Sequence, residues 1–205
     1  TAPVHVTVFV HGTHRTNNAL GYIPGVGKYL YHPDGLYRPE ECIEGYVYRR
    51  LARSITEASP IEFPQEHFYI FCWSGALSHD KRLQAAYELH EALNKLVERY
   101  GTNCIITLIT HSHGGNVALN LVPVLGERKY TINSLILLAV PVQSLTQKYV
   151  EDPLFKNVYS LYSRWDLIQI GDPQGLNHMG NMINKMFTHN EEDLQGIQEE
   201  IPLFS

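Results

Sequence analysis

The sequence is poor in cysteine, in basic charge and in long apolar runs, and each scarcity removes a class of protein. Its three cysteines, Cys42, Cys72 and Cys104, are odd in number and widely spaced. That argues against a disulfide framework and against a zinc ribbon. Cys72 and Cys104 fall in apolar stretches that read as strands, where a free thiol acts as a small buried hydrophobe. Unpaired thiols are compatible with a reducing compartment. The net charge is -5 with histidine neutral, and no basic stripe runs through the chain. Nucleic acid is therefore not an expected partner. No apolar run approaches the roughly 20 residues of a membrane-spanning helix, and no signal-peptide pattern is present. The chain begins at Thr1, not Met, which fits a processed or trimmed N-terminus. Internal repeats and low-complexity segments are also missing.

What is present is enough apolar material, 44% of residues, to build a core without external staples. A length of 205 residues fits a single domain spanning 1–205, with a loop or lid-like insertion at about residues 15–60. Five stretches rich in β-branched and apolar residues read as strands: Val4 to Val10, His67 to Trp73, Cys104 to Thr110, Ser134 to Val140 and Asn157 to Ser163. Between them, residues 39–55 predict a helix with Pro39 in its first turn. Residues 78–100 predict a second, capped by Ser78 and stopped at Gly101, with Leu83, Ala86, Leu89, Leu93, Leu96, Val97 and Tyr100 at helical spacing. Val117, Ala118, Leu121 and Leu125 mark a third helix face. Strands alternating with helices predict an α/β fold with a mostly parallel central sheet and helices on both faces.

The densest polar cluster, Thr110-His111-Ser112-His113-Gly114-Gly115, falls where the apolar third strand meets the third helix. Ligands collect at the carboxyl ends of strands in such sheets. A serine at the tip of a tight strand-to-helix turn stands out of the sheet beside unpaired backbone N–H groups. Gly114 and Gly115 leave space for strand and helix to pass closely. This is the nucleophile-elbow pattern G-x-S-x-G, with Thr110 in place of its first glycine.

With "FVHGT" near the start, "FYIFCWSG", "THSHGGNVAL", "LILLAVP" and "VYSLYSRWD" in that order, the chain resembles the α/β-hydrolase superfamily, in particular compact lipases and esterases. The resemblance covers most of the chain. It implies Ser112 as nucleophile, with an oxyanion hole formed by the backbone N–H groups of Thr13 and His113. Asp166, at the end of "VYSLYSRWD", stands where the family carries its triad acid; Asp172 in "GDPQG" is a weaker rival. The family's last strand and its histidine have no clear counterpart. Three readings stay open: His178 completes the triad, His189 does, or the histidine lies beyond Ser205. No cofactor and no metal is implied.

Other residues have plainer readings. His111 and His113 flank Ser112 but do not easily turn back onto its hydroxyl. His113 is expected to cover the pocket wall; for His11 and His14 a place at the mouth of the pocket is open, as the minority reading beside a plain structural one. His79-Asp80 reads better as helix capping than as metal ligation. Arg49, Arg50 and Arg53 form a solvated helix face, and the tyrosines and glycines of residues 15–38 suit a wall over the pocket.

The reading is an ester hydrolase using serine, histidine and aspartate through an acyl-enzyme, acting on a small-molecule ester or lipid. Thioesterase, amidase or acyltransferase chemistry would use the same groups. From a different class, a catalytically silent binding domain on the same fold also fits.

Overall fold

A computed structural model of the chain describes residues 3–13 and 32–161. Six strands form one sheet in the order β2-β3-β1-β4-β5-β6. They are β1 (His5–Val10), β2 (Gly35–Tyr37), β3 (Phe68–Cys72), β4 (Ile105–His111), β5 (Ile132–Leu138) and β6 (Phe155–Leu161). All neighbouring pairs are parallel except β2, which lies antiparallel along the outer edge of β3. The four described helices are α1 (Val47–Ala58), α2 (His79–Tyr100), the short α3 (Gly114–Leu119) and the single turn α4 (Ser144–Gln147).

Alternation along the strands sorts the core into two layers. On one face Val6, Val8 and Val10 of β1 and Tyr69 and Phe71 of β3 pack with Leu89, Leu93 and Leu96 of α2 and Val117 of α3. On the other, Phe9, Phe68, Ile70 and Ile109 pack with Tyr46 and with Ala52 of α1. Helices thus cover both faces, and the architecture is α/β with a mostly parallel sheet, as the alternation of elements implies.

Several boundaries differ from the sequence expectation. Residues 39–55 do not form one helix. Pro39–Glu41 make a single 3-10 turn, and Gly45, at φ 86°, breaks the chain before α1 begins at Val47. Strand β2 is too short to show a period-2 pattern. The helix after the polar cluster ends at Leu119, and Leu125 is 82% exposed, so the helical spacing of Val117, Ala118, Leu121 and Leu125 is not one buried face. Pro123 explains the early stop, because its ring denies an N–H to a continuing helix.

Cys42 and Cys72 are buried in the α1-side layer, and the Tyr46 hydroxyl lies 3.5 Å from the Cys72 sulfur. Burial pushes the Cys42 thiol up to about 12 and the Cys72 thiol up to about 11. Both are therefore neutral packing groups near pH 8, and the unfolded chain releases their protons first as pH rises. Stability contributed by the two thiols should hold below about pH 9 and fall as pH climbs toward 12. Iodoacetamide at pH 8 should leave both unmodified in the folded protein and alkylate them in denaturant. Rapid native alkylation of either would contradict this burial.

Candidate active site

The chain leaves β1 toward β3 and leaves β4 toward β5, on opposite sides, although β1 and β4 are neighbours. The boundary between their carboxyl ends is the topological switch point at which open α/β sheets bind ligands. Register places Val10 beside Thr110. Two residues further on from each, Gly12 and Ser112 lie against one another.

Ser112 is the turn itself. Its φ is 51°, one of two positive values among the described non-glycine residues. Its N–H donates to the Leu138 carbonyl of β5 (3.0 Å), and its own carbonyl accepts from Gly115 N–H (3.0 Å). The backbone thus ends its sheet pairing and begins a helix within one residue. A left-handed conformation costs a residue with a side chain about 1–3 kcal/mol and persists only where the surroundings enforce it. The side chain is half-buried and makes no hydrogen bond to another described residue. Thr110, which replaces the first glycine of the pattern, is fully buried, and its hydroxyl donates to the Ile136 carbonyl (3.1 Å). A β-branched residue is accommodated there because β5 accepts its one polar atom.

The glycines are required by contact. A Cβ on Gly114 would overlap the carbonyl oxygens of Val10 and His11. One on Gly115 would stand 2.5 Å from both Val140 methyl carbons, and one on Gly12 would stand 2.7 Å from the Ser112 Cβ. The Gly12 contact brings the turn after β1 directly against the serine.

That turn is anchored by His11, which is 1% exposed. Its Nε2 accepts from the Trp73 backbone N–H (3.0 Å), and its carbonyl accepts from the Trp73 indole N–H (2.8 Å). A backbone N–H only donates, so Nε2 is unprotonated and Nδ1 carries the proton, which it donates to the Gly12 carbonyl (2.7 Å). Both ring nitrogens are engaged, and the ring stacks between Tyr48 and Trp73. His11 is a structural clamp, and of the two readings open for it the structural one holds. In a planar peptide the C=O and the N–H point opposite ways. Holding the Gly12 carbonyl on His11 therefore turns the Thr13 N–H away from the imidazole. The Thr13 hydroxyl oxygen is buried without a hydrogen-bond partner among the described residues.

Behind the turn lies a polar cluster that the sequence did not single out. Asn116, Gln143, Thr146 and Arg82 are all buried and joined by hydrogen bonds. Beside it Ala139, at φ 48°, turns the chain out of β5. No signal marks Trp73 or Gln143 as partners, because each meets the site only through the fold. His113 is buried beside Ser112, whereas His111 is exposed. An open groove of about 590 Å³ between α2 and the β2–β3 edge is lined by Tyr69, Phe71, Glu88, Lys95 and Arg99. It contains none of these turn residues.

Ser112 and His113 are adjacent in the turn, and the Gly12 contact brings the residue before Thr13 against Ser112. Asp166, His178, His189, His14 and Asp172 lie outside the described residues, as do residues 14–31 of the tyrosine-rich stretch. Among the described residues no helix is long and apolar enough to cross a membrane. Compared with known proteins, the chain matches no family model, no curated protein and no solved structure.

Strain at the turn is measurable. Ser112→Gly should stabilise the protein by about 1 kcal/mol, because glycine adopts positive φ without penalty. Gly114→Ala should destabilise it by about 3 kcal/mol through the carbonyl overlap. Denaturant unfolding of both variants checks this, and a destabilised Ser112→Gly would mean that the turn is not strained.

Proposed function

We propose that this protein is a serine hydrolase of carboxylic esters built on the α/β-hydrolase fold, with Ser112 as nucleophile. The observation that carries the reading is the left-handed serine at the switch point, pressed against Gly12 of the neighbouring strand end. A structural serine has no need of that conformation, and helix capping does not account for it, since the Ser112 side chain makes no hydrogen bond to another described residue. Strained residues cluster at functional sites.

In this reading Ser112 Oγ attacks the ester carbonyl. A histidine oriented by Asp166 takes the serine proton and returns it to the leaving alcohol, and water then releases the acyl group. His178, His189 or a histidine beyond Ser205 fills this role; His11 does not, because both its nitrogens are committed. The backbone N–H groups of Thr13 and His113 receive the oxyanion. The His11 clamp supports the first assignment, since it fixes which way the Gly12–Thr13 peptide faces. Losing one such donor typically lowers the rate by about 10²–10³.

A panel of chromogenic esters, thioesters and amides, assayed on the full chain, tests the proposal. Ester hydrolysis should exceed the others and fall by at least about 10³ in Ser112→Ala. Tight binding of esters without turnover would favour the silent binding domain, and turnover unchanged in Ser112→Ala would remove Ser112 from the chemistry.

A further inference from the structure

We infer that Asn116 is a positioning residue that holds the His113 imidazole, next to the proposed nucleophile, in its neutral Nε2–H tautomer. The functional weight of this inference rests on the Ser112 reading; the tautomer itself does not.

Asn116 is 0% exposed and lies one helical turn beyond His113 on α3. The orientation of its amide is fixed by two groups that have no choice of role. The Gln143 backbone N–H can only donate, and it meets Oδ1 at 3.2 Å. The Pro141 carbonyl can only accept, and it meets Nδ2 at 3.0 Å. The Thr146 hydroxyl adds a second bond to Oδ1 at 2.7 Å. A flipped amide would set oxygen against the Pro141 carbonyl and NH₂ against the Gln143 N–H, breaking both bonds in a site without water access. The remaining N–H of Nδ2 faces His113 Nδ1 at 3.5 Å. An NH₂ donor opposite Nδ1 requires a lone pair there, so in the neutral ring the proton sits on Nε2.

The amide is braced from further back. Arg82 donates through Nη2 to the Gln143 side-chain oxygen (2.8 Å) and through Nη1 to the Leu77 carbonyl (2.6 Å). The loops after β3, β4 and β5 are thereby tied to one another through buried polar atoms. His113 Nδ1 cannot take a proton without opposing a donor. The ring is therefore withdrawn from general-base chemistry and kept as a donor on the residue whose own backbone N–H receives the oxyanion in the proposed reaction.

Long-range ¹H–¹⁵N NMR of histidine-labelled full chain at neutral pH reads the tautomer directly. The wild type should show His113 protonated on Nε2. Asn116→Asp, which puts an acceptor where the donor stood, should move the proton to Nδ1. Thr146→Val breaks the same cluster on its oxygen side, and should lower thermal stability while keeping the Nε2–H form. In ester assays Asn116→Asp should lower kcat by about tenfold with KM within about twofold, and Thr146→Val should change neither by more than about twofold. A wild type protonated on Nδ1, or an unchanged tautomer in a folded Asn116→Asp, overturns the inference. Should that variant not fold, Asn116→Ala replaces it: a mixture of tautomers is expected, and a retained pure Nε2–H form overturns it. Absence of ester turnover in the wild type would count against the hydrolase reading alone.

Discussion

The rest of the site depends on one backbone constraint, the reversal of the chain at Ser112 with a positive φ. Sheet pairing through Leu138 holds the residue before the reversal, and the bond from Gly115 fixes the helix after it. No room separates the two arms from their neighbours, so Gly114 lies on the β1 carbonyls, Gly115 on Val140 and Gly12 on the serine. Each contact limits the others. The conformation is enforced by close packing on three sides, and packing is what sustains a local cost of this kind. That geometry sets Ser112 at the switch point, against the turn after β1.

Close packing alone does not orient polar atoms, and two buried clusters do so here. In front, His11 joins Trp73 to the Gly12 carbonyl and sets the peptide plane of the β1 turn. Behind, Asn116 joins α3 to the segment after β5, and Arg82 extends the bracing to the loop after β3. An unmatched polar atom in such surroundings costs about 1–3 kcal/mol, so each cluster favours one arrangement over its flipped alternatives. The same physics makes both clusters unsuited to proton shuttling. Both His11 nitrogens and His113 Nδ1 are engaged, and in the proposed reaction the base is a different histidine.

Much of the fold was legible because the strands obey simple rules. Cys104 to Thr110 is apolar on both faces, and it became a central parallel strand with helices on each side. The elbow was legible from Ser112, Gly114 and Gly115, since only small residues tolerate such an approach. Less was legible where one residue overrides a pattern. Gly45 and Pro123 cut helices that periodicity alone would continue, and β2 is too short to have a period. The role of His11 was left open, because its position beside a conspicuous turn fits exposure as well as burial. Its burial is decided by Trp73, 62 residues away in the chain, and no local pattern carries that contact. Asn116 was passed over for a related reason: its partners come from the next strand's loop.

The central claim is that this bend delivers a single reactive hydroxyl. Its most direct test is to treat the folded full chain with a fluorophosphonate probe, digest it and map the adduct by mass spectrometry. The account predicts one adduct, on Ser112, that fails to form when the protein is denatured before treatment. A folded protein that forms no adduct, or one in which several hydroxyls react no less readily than Ser112, would contradict it.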